Sequence, residues 1–219
     1  MSQAVHIPTA PTDLALQDPC PDKLIIPWQK PTRRFLRLWL NRVKKYERCD
    51  LTLSDLEPGV SYVFASNHQS RLDPLLINVA MSDETWHKLM PIRVMTARGL
   101  FWVPVLNFIM LRLGCFPSRK HYRFKYGLQY ATTLLEHGKP MMIFPEGRRT
   151  IRGESRTRRG VEVLAHLPNV KVIPSHVEWT GSVYRKRTLS IVVGKPFDGS
   201  KMTAQEILDR IYSLPVDGK

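Results

Sequence analysis

The distribution of apolar and polar positions predicts alternating strands and helices over most of the chain. Short apolar runs that favour strands lie at residues 62–65, 90–97, 140–144, 170–175 and 189–193. Segments with apolar side chains at helical spacing lie at residues 75–81, 121–137, 160–167 and 207–214. Strands that alternate with helices indicate an α/β fold. The sequence therefore predicts a single α/β domain over residues 51–219, with a mixed, mostly parallel sheet flanked by helices.

The N-terminal part of the chain follows a different pattern. Residues 1–30 contain prolines and isolated hydrophobic residues without a sustained period, which predicts an extended or poorly ordered arm. Residues 31–50 begin with an apolar stripe that includes Phe35 and Trp39 and is interleaved with Lys and Arg. This combination predicts an N-terminal basic amphipathic helix that lies on an anionic membrane surface. The alternative is a helix that packs on the core and exposes a solvated basic face.

Charge and cysteine content narrow the class of partner. The formal net charge of +14 and the sequence pI of about 10.0 indicate a polyanionic partner. An anionic membrane, a phosphorylated substrate and nucleic acid all qualify, but no nucleic-acid-binding motif accompanies the charge, so we expect no nucleic-acid partner. The three cysteines are scattered without metal-ligand spacing, so we expect a reducing compartment and no metal site.

The longest apolar stretch, residues 100–113, is interrupted by Pro104, Asn107 and Arg112. A membrane span needs about 18 or more apolar residues, so this stretch is predicted to be a buried or half-inserted surface element. The first residues lack the basic start and apolar run of a secretory signal. We therefore expect no transmembrane span and a peripheral protein at the cytoplasmic face of a membrane.

A candidate catalytic pair lies in the loop between the strand at residues 62–65 and the helix at residues 75–81. His68 and Asp73 are close enough for the loop to bring the carboxylate against one imidazole nitrogen. The other nitrogen would then be available to take a proton from a substrate, which is the chemistry of a general base. The alternative is that Asp73 only caps the helix, which Pro74 begins, and that His68 is a loop residue.

A second candidate cluster follows the strand at residues 140–144. Glu146 and Gly147 come directly after that strand, where a parallel sheet commonly places site residues. Arginines then recur between residues 148 and 159. Guanidinium groups bind phosphate oxygens in pairs, so this segment predicts a phosphate-binding groove. The alternative is a flexible, charged surface segment.

Four blocks in this order resemble the motifs of the glycerolphosphate acyltransferase family. The blocks are Asn67-His68 with Asp73, Gly114 through Arg119, Phe144-Pro145-Glu146-Gly147 and Val172-Ile173-Pro174. The resemblance covers about residues 53–197 and is closest to the lysophosphatidic-acid acyltransferases. The family's third block usually continues with Thr-Arg-Ser, whereas this chain has Arg148-Arg149-Thr150.

The resemblance implies transfer of a fatty acyl group from acyl-CoA or acyl-carrier protein to the hydroxyl of a lysophospholipid. The acceptor it favours is 1-acylglycerol 3-phosphate, which gives phosphatidic acid, and no cofactor other than the acyl donor is implied. His68 would be the general base and Asp73 would orient it. The residues implied to contact the acceptor phosphate are Arg119, Glu146, Gly147 and Arg149. The residues implied to support the site are Asn67, Arg148 and Pro174.

Two alternatives stay open from the sequence. One is an acyltransferase with another acceptor, such as glycerol 3-phosphate, a different lysophospholipid or a lyso-aminolipid. The other is a basic adaptor that binds anionic lipid without turnover.

Overall fold

The computed structural model describes residues 21–41, 44–118, 127–149, 157–180 and 188–216. Its strands are Lys44–Cys49 (β1), Ser61–Ser66 (β2), Arg93–Thr96 (β3), Cys115–Pro117 (β4), Met141–Ile143 (β5), Val170–Thr180 (β6) and Thr188–Val193 (β7). They form one seven-stranded sheet in the order β1-β7-β6-β2-β5-β3-β4. From β6 to β4 all neighbours are parallel, while β7 is antiparallel to β6 and parallel to β1. The predicted α/β domain with a mostly parallel sheet is confirmed.

Helices cover both faces of this sheet. They are Asp22–Leu40 (α1), Asp73–Ala80 (α2), Asp83–Leu89 (α3), Pro104–Arg112 (α4), Gly127–Glu136 (α5), Gly160–Ala165 (α6) and Ala204–Tyr212 (α7). Side chains of α5, α6 and α7 pack with Val63 and Ala65 of β2, whereas side chains of α2 and α3 pack with Tyr62 and Phe64. Alternate residues of a strand point to opposite faces, so β2 is buried on both sides, and its residues 62–65 are apolar without interruption.

The N-terminal helix differs from the predicted one at both ends. We expected an arm to residue 30 and a helix from residue 31, but α1 begins at Asp22 and ends at Leu40, and β1 begins at Lys44. Pro27 and Pro31 lie inside α1 although each removes one backbone hydrogen bond. Tertiary packing offsets that loss through a buried stripe at helical spacing: Ile25, Gln29, Arg33, Leu36 and Leu40.

Arg33 was expected on the basic outer face of this helix, but it is 7% exposed. Its guanidinium donates to the backbone oxygens of Asn78 (2.8 Å) and Met81 (2.6 Å) and to the Asp83 carboxylate. It also lies over the Trp86 ring, 4.6 Å from the ring centroid. Burial lowers the pKa of Arg33, while the Arg33 hydrogen bond lowers the pKa of Asp83. These contacts attach α1 to α2 and α3.

Some elements have no counterpart among the predicted strands and helices, and one predicted strand is longer than expected. The edge strand β1 and the short helix α3 were not predicted, because both are rich in polar residues, and the three-residue strand β4 was not predicted either. The strand predicted at residues 170–175 continues to Thr180 in β6. Within the described residues, no helix is both long and apolar enough to cross a membrane. Residues 1–20 of the predicted arm and residues 121–126 of the helix predicted at residues 121–137 lie outside the described residues.

Candidate active site

A cavity with a volume of about 1110 Å³ lies at the carboxyl ends of the parallel strands. The segments that follow β2, β3, β4 and β5 all contribute to its wall, as do α1 and α4. Ligands of parallel α/β sheets bind at this edge because the loops there converge. The volume exceeds the range of roughly 300–1,000 Å³ that is typical of pockets for drug-sized ligands. There is therefore room for a long-chain substrate.

His68 lies on the cavity wall, and Asp73 lies directly behind it. The His68 Nδ1 is 2.9 Å from Asp73 Oδ2, and the His68 side chain is 20% exposed while that of Asp73 is fully buried. Asp73 Oδ2 also accepts the backbone N–H groups of Gln69 (2.8 Å) and Ser70 (2.7 Å). Because Oδ2 acts as an acceptor in all three bonds, Nδ1 carries the imidazole proton and Nε2 is the basic nitrogen.

The predicted cap at Asp73 is wrong in its detail. Leu72 precedes the helix as its N-cap, and Asp73 is the first residue of α2. The Asp73 carboxylate binds backbone N–H groups of the preceding loop, at Gln69 and Ser70. It therefore holds the loop around His68 closed.

Two side chains fix this loop to the neighbouring strand β6. The Asn67 side-chain amide, which is fully buried, donates to the Val177 backbone oxygen and accepts the Val177 N–H, both at 2.8 Å. Gln69 Oε1 accepts the backbone N–H of Trp179 at 3.1 Å. Such backbone pairing by side chains extends the sheet's hydrogen bonding into the loop. His68 is thus held between two anchored residues, and the predicted supporting role of Asn67 has a structural basis.

The segment after β5 contacts His68 on two further sides. The Phe144 ring stacks on the His68 ring with centroids 4.2 Å apart and an interplanar angle of 27°. Glu146, which is 2% exposed, accepts the His68 backbone N–H through Oε2 at 3.0 Å. Its Oε1 accepts the Tyr212 hydroxyl at 2.5 Å. The resemblance implies that Glu146 lies beside the acceptor phosphate, whereas the structure has its carboxylate buried behind the loop, where it binds the His68 backbone N–H.

Arginines line the same cavity as His68. Arg148 and Arg149 are exposed and follow the positive-φ residue Gly147 (φ 65°). A Cβ atom at Gly147 would lie 2.5 Å from Cδ of Arg158, so a larger residue here would displace the side chain of this third arginine. Arg158 is also part of the cavity wall. Three arginines of the predicted cluster are therefore on the wall of the cavity that contains the imidazole, while Arg152 and Arg156 lie outside the described residues.

One predicted site residue is not described, and another lines a different cavity. Arg119 lies outside the described residues. Pro174 is a buried residue of β6 and lines a separate, smaller cavity of about 340 Å³. Within the described ranges, no group of three or more His, Cys, Asp or Glu side chains is arranged to hold a metal ion.

The sequence indicates the pair of His68 and Asp73 but not the other residues that hold His68 in place. Phe144 was interpreted as part of an apolar strand and of the third block, without a role beside His68, and Tyr212 was interpreted only as part of the apolar side of the last helix. The contact of Tyr212 with Glu146 joins residues that are 66 positions apart, so no local pattern could indicate it. A tyrosine on an apolar helix face, whose hydroxyl needs a partner when buried, was the available signal.

Comparison with known proteins identifies a family and a similar fold. The Acyltransferase family matches residues 49–178, which is more than half of the 219-residue chain. A search of curated proteins found no match. The structure is similar to the crystal structure of the 1-acyl-sn-glycerophosphate (LPA) acyltransferase PlsC from Thermotoga maritima, with a TM-score of 0.58 and 17% sequence identity. The match covers 84% of this chain and 76% of that chain, and it shows a shared fold.

Proposed function

The chain belongs to the Acyltransferase family, and from that premise we propose that it moves a fatty acyl group from a thioester to the hydroxyl of 1-acylglycerol 3-phosphate. The donor is acyl-CoA or acyl-carrier protein, and the product is phosphatidic acid. The observation that carries this proposal is one cavity whose wall includes both His68 and the arginines that follow β5. The likeness to a lysophosphatidic-acid acyltransferase supports the same acceptor.

His68 and Asp73 act as the base and its orienting partner. His68 Nε2 takes the proton of the acceptor hydroxyl while the hydroxyl oxygen attacks the thioester carbonyl carbon. The new C–O bond forms and the C–S bond breaks, and the proton passes from the imidazolium to the departing thiolate. Asp73 stabilises the imidazolium through the 2.9 Å contact at Nδ1. General-base assistance of this kind is typically worth ~10²–10⁴-fold in rate.

The arginines on the cavity wall bind the acceptor phosphate. The segment after β5 supplies three of them, Arg148, Arg149 and Arg158, and β5 is paired with β2, the strand that precedes His68. Guanidinium groups form paired, charge-assisted hydrogen bonds with phosphate oxygens. A phosphate held there leaves the glycerol hydroxyl of the same molecule near the imidazole. We therefore assign acceptor recognition to charge on this segment.

The enzyme also docks on an anionic membrane through an apolar surface, which we define as the exposed hydrophobic residues of α1 and of residues 102–108. Its members are Trp28, Phe35, Leu38, Trp39, Trp102, Val103, Val105, Leu106 and Phe108. The two parts are continuous, because the Trp28 and Phe108 rings meet edge to face at 5.7 Å. Exposed apolar surface of this extent is typical of a protein or membrane interaction site.

Charge next to the apolar surface favours the membrane. The Arg112 guanidinium lies 4.7 Å from the Phe108 ring centroid, and that of Arg98 lies 5.9 Å from the Trp102 ring. Lys30 and Arg34 are exposed on α1. Aromatic side chains flanked by cations match the interface of an anionic bilayer, where each Lys or Arg adds about 1 kcal/mol of attraction. Leu106 also lines the cavity, so a lipid acceptor could enter from this side.

The test of the function is an acceptor panel. The purified full chain is incubated with one labelled acyl-CoA and, in parallel, 1-acylglycerol 3-phosphate, glycerol 3-phosphate, lysophosphatidylcholine or 1-monoacylglycerol. We expect phosphatidic acid to be the fastest product, because only the first acceptor combines an acyl chain with a terminal phosphate. Equal rates with 1-monoacylglycerol would contradict the assignment of the arginines, and a faster product from another acceptor would contradict the assignment of the acceptor.

The test of the docking surface is vesicle co-sedimentation. Phe35→Ser with Leu38→Ser removes two exposed apolar side chains, and Leu53→Ser is the matched control because Leu53 is exposed at another turn. We expect the double variant to lose binding to phosphatidylglycerol-containing vesicles at physiological salt while the control still binds. Equal binding of both variants would exclude this surface as the docking site.

A further inference from the structure

We propose that Tyr212, at the end of the C-terminal helix, is a positioning residue for the catalytic loop and acts on His68 through the Glu146 carboxylate. The inference rests on the proposed function and adds a residue that lies outside the four sequence blocks. Tyr212 is also outside the segment that matches the Acyltransferase family, residues 49–178.

Glu146 is the link between the tyrosine and the loop. Each of its carboxylate oxygens accepts one hydrogen bond, Oε1 from the Tyr212 hydroxyl and Oε2 from the His68 backbone N–H. A buried carboxylate keeps its position only while donors satisfy it, because an unpaired buried charge is unfavourable. Within the described residues, these two donors bind different oxygens of the same carboxylate. The tyrosine therefore fixes the oxygen that holds the His68 backbone.

The tyrosine hydroxyl itself has a fixed position. α7 starts with a capping box in which Thr203 and Glu206 each bind the backbone of the other. Its residues Ile207, Leu208 and Ile211 are fully buried in the core. The Tyr212 ring meets the buried His176 ring edge to face at 5.2 Å. A hydroxyl on an anchored ring at the end of an anchored helix is a rigid donor.

Tyr212 acts through another residue and does not touch the reacting groups. It is absent from the wall of the large cavity, whereas His68 and Phe144 are part of that wall. Three contacts hold His68. Asp73 binds Nδ1 of the ring, Phe144 stacks on the ring face, and Glu146 binds the backbone N–H. Of these, the last depends on a residue from the far end of the chain.

The test is Tyr212→Phe, which keeps the ring contact with His176 and removes only the hydroxyl. Small displacements of a catalytic group cost up to about 10²-fold in rate, so we expect kcat to fall about 10- to 100-fold with KM for the acceptor nearly unchanged. Tyr62→Phe is the matched control. Its hydroxyl accepts the Glu57 N–H at 2.6 Å, at the opposite end of β2 from the catalytic loop. We expect the control to have the kcat of the unmodified chain.

A structural readout separates positioning from catalysis. We expect the ¹⁵N–¹H cross-peak of the His68 backbone amide to shift in Tyr212→Phe and to stay in place in Tyr62→Phe. We also expect the double variant Tyr212→Phe/Glu146→Gln to have the same kcat as Glu146→Gln alone, because the tyrosine acts only through the Glu146 side chain. Multiplicative losses in the double variant, or an unmoved amide with normal kcat in Tyr212→Phe, would overturn the proposal.

Failure of the proposed function has a different outcome. If the unmodified chain transfers no acyl group to any acceptor, the function is wrong, while the amide shift still reports on the Tyr212 contact. If the unmodified chain is active and Tyr212→Phe matches the Tyr62→Phe control in kcat, KM and amide shift, the function stands and the positioning role is refuted.

Discussion

Asp73→Asn changes the partner of the imidazole by one atom, and the structure predicts which way the new amide faces. Asp73 Oδ2 accepts two backbone N–H groups, from Gln69 and Ser70, in addition to the His68 Nδ1–H. An amide NH₂ cannot occupy that position, because it would face two backbone donors. The amide oxygen therefore remains against the imidazole, Nδ1 keeps its proton, and the variant loses charge rather than the correct tautomer.

The size of the effect follows from that loss of charge. A full charge about 4 Å from the imidazolium contributes about 4 kcal/mol at an effective dielectric constant near 20. The amide dipole offsets part of it, so we expect kcat/KM to fall about 10²- to 10³-fold. The new NH₂ group takes the position of Oδ1, which is buried and has no hydrogen-bond partner among the described residues. A buried donor without an acceptor should lower the free energy of unfolding by about 1–3 kcal/mol.

Both effects are measurable on the same preparations. Release of the free thiol of CoA gives kcat/KM with 1-acylglycerol 3-phosphate, and urea unfolding gives the stability. Asp198→Asn is the matched control, because Asp198 accepts the Ser200 backbone N–H at 2.8 Å on the exposed surface. A folded Asp73→Asn variant with the kcat/KM of this control would refute the view that the carboxylate charge stabilises an imidazolium.

Two more predictions concern the residues around the site. Gly147→Ala forces a positive φ on an alanine and places its Cβ 2.5 Å from Arg158 Cδ, so we expect the free energy of unfolding to fall by about 1–2 kcal/mol and KM for the acceptor to rise, measured by urea unfolding and initial rates. A normal acceptor KM would show that Arg158 does not contact the phosphate. Arg33→Met leaves the backbone oxygen of Asn78 without this donor and leaves that of Met81 with only the longer bond from Arg37 (3.4 Å), so we expect the free energy of unfolding to fall by about 2–4 kcal/mol. The Arg33 hydrogen bond lowers the pKa of Asp83, so the pair's contribution is present above the ordinary carboxyl pKa and is lost as pH falls through the lowered value. The difference in stability between Arg33→Met and the unmodified chain should therefore narrow in acid, and a constant difference would contradict this.

The sequence predicts the local part of the site well because its signals are local. An apolar run predicts β2, the Asp-Pro dipeptide predicts the start of α2, and the loop between them is short enough to bring His68 and Asp73 together. The capping box that starts α7 is likewise a local signal, and the structure contains it. These predictions depend on residues that are neighbours in the chain.

The remainder depends on contacts between distant residues. Pro27 and Pro31 predict a helix break, and only the burial of α1 against the rest of the domain overcomes them. The charge of Arg33 predicts exposure, but an aspartate 50 residues later and two backbone oxygens pair with it inside the fold. Glu146 was predicted beside a phosphate from the family resemblance. Its position after a buried strand gives no indication of Tyr212, the residue that binds its carboxylate.

The measurement that tests the central claim most directly is the initial rate of phosphatidic acid formation by His68→Ala beside the unmodified chain. Both are assayed with labelled acyl-CoA and 1-acylglycerol 3-phosphate, and circular dichroism verifies that both are folded. His68 is partly exposed on the cavity wall, where its ring contacts Phe144 and Asp73, so we expect the variant to fold. We expect the rate of His68→Ala to be about 10²- to 10⁴-fold lower than that of the unmodified chain. A folded His68→Ala protein that forms phosphatidic acid at the unmodified rate would contradict the assignment of His68 as the general base.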